Sequence, residues 1–268
     1  MIESPPLLDF KIIDETDDYA VVDKPPFLLI HPTKPDGTRT LWQELRGLFA
    51  FEIAAGGQVS IVNRLDRETS GLVLIAKKAE IARRFGLLMQ RRQLKKEYLA
   101  IVCGWPEWEN RLVDAALDRQ GKHRDSAIWL KQMIHPSGAP AQTKFKVEQR
   151  FVGSTVRPQP QPARRGERAP FESAHEGGKF SLIRAIPHTG RTHQIRVHLS
   201  SIGHPIVGDK IYGPDEHLYL RFIETGWTTE LERQLLLPRH ALHSARLAIE
   251  DEHEWTSPLP QDLAEFMT

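Results

Sequence analysis

The chain has 268 residues, of which 40% are hydrophobic and 26% charged, and its formal net charge is +1. This composition is typical of a soluble globular protein that can bury a core. No apolar run approaches the ~20 residues that span a bilayer, and the opening residues MIESPP lack the features of a signal peptide. The single cysteine, Cys103, excludes an internal disulfide and a multi-cysteine metal site. A buried, inert thiol and a location in the cytoplasm are expected.

The first third of the chain predicts strands with two helices between them. Short apolar runs bounded by turn residues are typical of strands, and leucines at helical spacing after Thr40, a candidate N-cap, are typical of a helix. Lys24 precedes two prolines that end a strand, because proline cannot donate to a ladder. Strands are predicted at residues 10–14, 19–23, 59–62, 72–76 and 93–102, and helices at 40–49 and 79–90.

The remaining chain predicts further strands and helices around a long insertion. Residues 105–137 have weak periodicity and are interpreted as a surface excursion. Residues 156–178 contain four prolines, four arginines and a Gly-Gly pair, which predicts a flexible insertion rather than part of a core. An unstructured hairpin tip is the preferred interpretation, with contact to a binding partner as the alternative. Strands are predicted at residues 143–148, 180–186 and 241–249, and helices at 194–202 and 262–267.

Residues 63–71, NRLDRETSG, form the most informative stretch of the sequence. Asp66 falls on a short connection between two apolar runs, and Thr69 begins a Thr-Ser-Gly turn. Arg64 and Arg67 are its neighbours, and their positive charges are expected to lower the pKa of its carboxyl group. Taken alone, an aspartate that pairs with loop arginines is the commoner explanation of such a pattern.

Three motifs together resemble those of the RluA-type RNA pseudouridine synthases. Residues 63–71 resemble the R-L-D-x-x-T-S-G signature of that family, whose aspartate is catalytic. Residues 95–104 resemble its K-x-Y-x-A-x-V-x-G strand, and residues 189–213 resemble its third block, with its Thr-Gly-Arg, Gly-His-Pro and Tyr-Gly elements. The motifs occur in the family's order and spacing, and the similarity extends from about Asp9 to the C-terminus.

The resemblance implies an architecture for the chain. It implies an α+β pseudouridine synthase fold, with a long mixed, mostly antiparallel sheet, flanking helices and a central active-site cleft. Strands and interspersed helices along the sequence predict the same class. We expect one catalytic domain over residues 1–268, without a separate N-terminal RNA-binding domain. We also expect a monomer that needs no cofactor and no metal and does not bind a membrane.

The resemblance also implies roles for individual residues. Asp66 is expected to be the catalytic nucleophile, and Arg196 to form an ion pair that keeps it ionised. Tyr98 is expected to pack against the target base. Asp66 could attack the sugar, attack C6 of the base, or stabilise a dehydrated sugar, and the sequence does not decide between these. The expected substrate-binding residues are Arg64, which would fill the gap left by a flipped base, and Arg67, Thr69, Arg191, Lys95 and Lys96.

Local clusters of basic residues add support for an RNA partner. Arg191 could contact phosphate or pack locally, and the first basic cluster could equally be a solvated helix face. The candidate phosphate contacts are Lys77, Arg83, Arg84, Lys95 and Lys96, with Arg91 and Arg92 in the same cluster and Arg164, Arg165 and Arg168 in the insertion. Ribosomal and transfer RNA both remain possible substrates.

The sequence departs from the family pattern at Asn63, and it leaves three alternative functions to weigh. Asn63 stands where many members have histidine, so any role specific to that ring is absent or altered. One alternative is a metal hydrolase, but the five-residue spacing of His188, His193 and His198 matches neither a helical zinc site nor a Cys/His framework. A second alternative is a nucleoside or glycoside hydrolase, which would usually need another acidic residue near Asp66. Glu68 is near in sequence, but it matches a variable position of the family, which argues against that role. The alternative from another class is a non-catalytic RNA-binding protein on the same scaffold, which the intact Asp66, Tyr98 and Arg196 argue against.

Overall fold

The computed structural model describes residues 10–33, 37–153 and 178–268. The predicted insertion at residues 156–178, apart from Gly178, lies outside the described residues. The strands are β1 (Lys11–Glu15), β2 (Tyr19–Lys24), β3 (Ser60–Ile61), β4 (Ser70–Ala76), β5 (Leu94–Cys103), β6 (Asn110–Asp114), β7 (Leu117–Arg119), β8 (Gln132–Ile134), β9 (Gln142–Val152), β10 (Lys179–Pro187), β11 (Leu242–Ile249) and β12 (His253–Thr256). The α-helices are α1 (Leu41–Leu48), α2 (Ala50–Ala54), α3 (Ala79–Gln90), α4 (Gln194–Ser201), α5 (His217–Thr225), α6 (Thr229–Leu235) and α7 (Gln261–Phe266).

The chain forms two compact units, and the first comprises residues 1–96 and 243–258. Its strands lie in the order β1-β2-β4-β11, with β3 paired to β4 and β12 paired to β11. β4 and β11 run parallel, and the other described pairs of this unit are antiparallel. All residues of β4 are buried, because it has neighbours on both edges and a core below it.

Helix α3 covers one face of this sheet. Its apolar side chains recur at helical spacing, and Phe85 is 1% exposed in a core that includes Leu72, Leu74 and Trp255. Arg83 and the other arginines of the helix lie on the exposed side. The predicted helix at residues 79–90 is confirmed with the same bounds. The predicted cap of α1 is also confirmed, since the Thr40 hydroxyl accepts a hydrogen bond from the Gln43 N–H at 3.3 Å.

The second unit comprises residues 97–242 and 259–268. Its larger sheet has the order β5-β10-β9-β6, all antiparallel, and β7 and β8 form a separate hairpin. The prediction of a surface excursion over residues 105–137 is therefore wrong where these strands occur. β6 lies at the sheet edge and buries only Val113. Its sequence therefore lacks the alternation of apolar and polar residues that predicts a strand.

Four α-helices lie in the described part of the second unit, and two of them, α5 and α6, were not predicted. In α4, residues 194–199 are all buried, and the helix predicted over residues 194–202 is confirmed to within one residue. The helices α5 and α6 pack together through Leu218, Leu231 and Leu235. Helix α7 is held by Asp262, whose carboxylate accepts two hydrogen bonds from the fully buried Arg239 at 2.6 and 2.9 Å.

These elements give the fold class that the sequence predicts. Mostly antiparallel strands with flanking helices define an α+β protein, and the prediction of that class is confirmed. Burial raises the pKa of the Cys103 thiol to about 12, so the prediction of a buried, inert thiol is also confirmed. Across residues 10–33, 37–153 and 178–268, no helix is long and apolar enough to cross a membrane.

Candidate active site

The loop that carries Asp66 is anchored at its start by Asn63. The side chain of Asn63 is 3% exposed. Its Nδ2 donates to the carbonyl oxygen of Leu72 at 3.0 Å, and its Oδ1 accepts from the Leu74 N–H at 2.8 Å. One amide therefore satisfies two backbone groups of the buried strand β4. Asn63 therefore fixes the backbone where the loop begins.

Asp66 begins a tight turn at the centre of the loop. The Thr69 N–H donates to the Asp66 carbonyl oxygen at 3.2 Å, which closes the turn. Asp66 is half-buried, Arg64 and Arg67 are exposed, and Thr69 is buried. The structure thus brings four of the predicted site residues together on one short connection. Because Thr69 is 2% exposed and its N–H closes the turn, a structural role accounts for it, and its contact with substrate stays a prediction.

The end of the loop is locked to β11. Gly71 has a φ of 109°, and a Cβ there would lie 2.3 Å from the carbonyl oxygen of Ser244, so only glycine fits. The hydroxyl of Ser70 lies 3.0 Å from His243 Nδ1, and His243 Nε2 lies 3.3 Å from the Ser257 carbonyl oxygen. Since a carbonyl can only accept, Nε2 carries a proton, and in the neutral imidazole Nδ1 accepts from the Ser70 hydroxyl. His243 was missed by the sequence analysis because it lies 173 residues from Ser70.

A buried lysine fixes the middle of the loop. Lys24 is 0% exposed, and its ammonium donates to the carbonyl oxygens of Pro25, Leu28 and Arg67 at 2.8, 3.0 and 3.2 Å. Three carbonyl acceptors match the three donors of an ammonium group. The bond to Arg67 shows that Lys24 supports the turn that contains Asp66.

The exposed arginines of the loop have neighbours of their own. The Arg67 guanidinium lies over the ring of Phe27, 5.9 Å from its centroid. Burial lowers the pKa of His31, and the positive charge of Arg64 lowers it further. His31 is therefore held in its neutral form more strongly than an ordinary histidine, and the field of Arg64 reaches it. Both arginines remain accessible to a substrate.

The predicted site residues of β5 differ in their exposure. Tyr98 is 8% exposed, and its backbone lies opposite Ala185 of β10. Lys95 is exposed, whereas Lys96 is half-buried, and burial lowers the pKa of its ammonium group. Lys77 is not an exposed phosphate contact as predicted, because it is 5% exposed and pairs with Glu15 and Glu52 at 2.7 and 3.2 Å.

Helix α4 carries Arg196, which forms a buried ion pair. Its Nε and Nη2 donate to the two carboxylate oxygens of Asp209 at 2.7 and 2.8 Å. The predicted pair of Arg196 with Asp66 stays a prediction. Arg191 precedes the helix, and its Nε donates to the Pro140 carbonyl oxygen at 3.1 Å, so the structure supports local packing for that side chain.

The histidines of the same region have structural partners. His198 lies 2.9 Å from the Thr143 hydroxyl and 3.0 Å from the Ala115 carbonyl oxygen. His193 Nδ1 lies 2.8 Å from the Tyr212 hydroxyl. In the part of the chain that the structure describes, no group of three or more His, Cys, Asp or Glu residues could hold a metal ion. The geometry therefore gives no support to the metal hydrolase alternative.

This chain is similar to known proteins in both sequence and fold. The sequence profile of the RNA pseudouridylate synthase family matches residues 18–201. Ribosomal large subunit pseudouridine synthase D of Nitrosomonas europaea is 32% identical over 268 residues, which cover 97% of this chain and 65% of that protein. An uncharacterized RNA pseudouridine synthase of Chloroflexus aurantiacus is 32% identical over 249 residues, which cover 90% of this chain and 63% of that protein. The structure of human RNA pseudouridylate synthase domain containing 1 has a TM-score of 0.64 at 23% identity, over 98% of this chain and 89% of that one.

These comparisons define the class of the protein in two respects. The human structure shows that the fold is that of a pseudouridylate synthase domain. The profile match shows the family, and this chain belongs to the RNA pseudouridylate synthase family. The chain spans just under two thirds of the length of the two bacterial relatives.

Proposed function

We propose that this chain is an RNA pseudouridine synthase, an isomerase that converts uridine in RNA to pseudouridine. The observation that carries the proposal is the family match over residues 18–201, in a chain that retains Asp66, Tyr98 and Arg196 at the motif positions. The anchoring of the Asp66 turn by Asn63, Lys24 and Gly71 supports it further, because a catalytic group must be held in place before the substrate arrives.

The reaction is a rearrangement within one nucleotide. The bond between C1′ of the ribose and N1 of uracil breaks, and a bond forms between C1′ and C5. The hydrogen on C5 leaves as a proton, and N1 gains a proton. Atoms and electrons balance without an oxidant or an energy source, so the protein has to supply a nucleophile or an ion-stabilising group, a binding surface for the base, and proton transfer.

Asp66 is proposed to supply the carboxylate. It could attack C1′, as glycosidase carboxylates do, attack C6 of the base, or stabilise a dehydrated sugar. Arg196 is proposed to pair with it and keep it ionised, because an opposite charge within a few ångströms lowers a carboxyl pKa.

Tyr98 and Arg64 are proposed to handle the base. A flat aromatic ring suits a uracil that must turn in place. Extruding the target nucleotide costs a few kcal/mol, commonly offset by a side chain that fills the gap, and the exposed Arg64 is proposed for this task. Arg67, Lys95 and Lys96 are proposed to contact the RNA backbone. Arg191 is exposed and is proposed to do the same while its Nε keeps the bond to the Pro140 carbonyl oxygen.

The proposed substrate is ribosomal RNA of the large subunit. The name of the Nitrosomonas europaea relative refers to that RNA, and it favours this substrate over transfer RNA. We further propose that the chain acts as a monomer. Unmodified transcripts of large-subunit ribosomal RNA and of transfer RNA, offered separately to the purified protein, would distinguish the two substrates.

The catalytic assignment can be tested by replacing one atom of Asp66. Asp66→Asn keeps the size of the side chain and removes its charge, so turnover should fall below detection while RNA binding changes less than about threefold. Turnover is measured as tritium released from RNA labelled at uridine C5. Glu68→Gln is the matched control, because it removes a carboxylate from the same turn, and it should stay within about twofold of wild type.

The outcomes separate the enzyme from a binding protein. Activity that survives Asp66→Asn would show that Asp66 is not the catalytic carboxylate. RNA binding without tritium release by the wild-type protein, on both classes of transcript, would favour a non-catalytic RNA-binding protein on the same scaffold.

A further inference from the structure

Asp209 occupies a buried turn of the second unit that leaves its carboxylate no freedom to move. Its side chain is 0% exposed. The preceding Gly208 has a φ of 78°, and a Cβ there would lie 1.9 Å from the Arg239 carbonyl oxygen, so glycine is required. Besides the two bonds from Arg196, Asp209 Oδ1 accepts from the backbone N–H groups of Ile211 and Tyr212, both at 3.0 Å. The carboxylate is thus fixed by its own backbone turn.

The carboxylate of Asp209 is held in its charged form. Burial by itself raises the pKa of this group, but the positive charge and hydrogen bonds of Arg196 outweigh burial, and the net pKa lies well below the ordinary range. A buried carboxylate that keeps its charge and accepts two parallel N–H bonds fixes the plane of the guanidinium that donates them.

The aromatic ring of Tyr212 packs against the guanidinium of Arg196 and restrains it. The central carbon of the Arg196 guanidinium lies 5.1 Å from the Tyr212 ring centroid, within the range of a cation–π contact. The Tyr212 hydroxyl accepts from the Gln132 N–H at 2.8 Å. It also lies 2.8 Å from Nδ1 of His193, within hydrogen-bond distance. Tyr212 therefore contacts Gln132 of β8, His193 at the start of α4, and the guanidinium of Arg196.

We propose that Asp209 and Tyr212 are positioning residues that fix the guanidinium of Arg196 for the reaction. The inference rests on the proposed function, because it takes Arg196 to act on Asp66. A guanidinium locked in one plane needs no reorientation when RNA binds, and a misplacement of about 1 Å in such a group can cost ~100-fold in rate. The contribution of both residues should therefore appear in kcat and depend on Arg196.

The test is a double-mutant cycle on turnover. Tritium release from a C5-labelled, unmodified transcript of large-subunit ribosomal RNA gives kcat and KM for Asp209→Asn, Tyr212→Phe, Arg196→Ala and the two double variants. Asp209→Asn should lower kcat ~100-fold, and Tyr212→Phe roughly two- to tenfold, the equivalent of one hydrogen bond. KM should stay within about twofold. In the Arg196→Ala background neither change should lower kcat further.

Two matched controls separate positioning from general loss of structure. Asp262→Asn breaks the other bidentate pair with a buried arginine, Arg239, and should reduce thermal stability without changing kcat. Tyr219→Phe removes a hydroxyl from the same apolar cluster as Tyr212 and should leave kcat unchanged. If Asp209→Asn does not fold, Tyr212→Phe carries the cycle, since it keeps the buried ring.

Each outcome bears on one of the two proposals. Equal fold-losses in the wild-type and Arg196→Ala backgrounds would show that Asp209 and Tyr212 act independently of Arg196 and would overturn the inference. An equal loss of kcat in Asp262→Asn would also overturn it. Absence of tritium release by the wild-type protein on both classes of transcript would instead refute the proposed function. If the wild-type protein turns over but the fold-losses of the single variants simply multiply in the double variants, only the positioning roles are refuted.

Discussion

Replacing Asn63 with alanine should destabilise the first unit through the backbone of β4. The change removes the acceptor of the Leu74 N–H and a donor to the Leu72 carbonyl oxygen. A buried donor left without a partner costs ~1–3 kcal/mol. The Leu72 carbonyl oxygen keeps a hydrogen bond from the Ser244 hydroxyl at 3.3 Å, so its loss is smaller. The expected cost is ~2–3 kcal/mol in the free energy of unfolding, or roughly 4–12 °C in Tm for a chain of this size.

Thermal and urea unfolding followed by circular dichroism would measure this cost. The matched control is Asn110→Ala, because Asn110 is exposed at the edge of β6 and its removal should change stability by less than ~0.5 kcal/mol. Asn63→His should lose less than Asn63→Ala at pH 8, since a neutral imidazole also offers one donor and one acceptor. Equal stabilities of the Asn63→Ala and Asn110→Ala proteins would refute the anchoring role of Asn63.

Two further predictions concern the core and its response to pH. Phe85→Ala should destabilise the protein by ~3–5 kcal/mol in urea unfolding, because Phe85 is 1% exposed. Phe51 is 85% exposed, so Phe51→Ala should have little effect. Similar losses of stability in the two variants would contradict the packing of α3. Burial lowers the pKa of His198, so the unfolded chain takes up that proton first and stability should fall as the pH drops through the ordinary histidine range. The urea midpoint should decrease more between pH 7.5 and 5.5 in the wild type than in His198→Gln, and parallel decreases would contradict this origin.

Elements with strong local signals were predicted well. Helix α3 has regular apolar spacing, and α1 begins at a capping threonine, Thr40, so neither depends on distant residues for recognition. The strands β2, β4, β5 and β10 have dense apolar runs. The unpredicted helix α6 also has local signals, since the Thr228 hydroxyl accepts from the Leu231 N–H at 3.3 Å and Leu231 and Leu235 are four residues apart. The helix α6 was therefore predictable from the sequence alone.

Other features had no local signal. β6 is a strand because it pairs with β9, and most of its side chains are exposed, so hydrophobic periodicity could not reveal it. The importance of Lys24 for the Asp66 turn depends on a bond to Arg67, 43 residues later. Asp209 was visible only as part of a motif, and its pairing with Arg196 follows from the turn that Gly208 permits.

The sequence by itself determined the family of this protein and the location of Asp66 on a short loop, because both depend on residue types at fixed spacing. It also determined which segments could bury an apolar face. Only the tertiary structure decided which contacts hold the candidate site residues in place. Asn63 bonds to the backbone of β4, Lys24 bonds to the turn that contains Asp66, His243 lies beside Ser70, and Asp209 and Tyr212 contact Arg196. These contacts join backbone and side-chain groups whose distances depend on the packing of whole elements, and no local pattern in the chain encodes such distances.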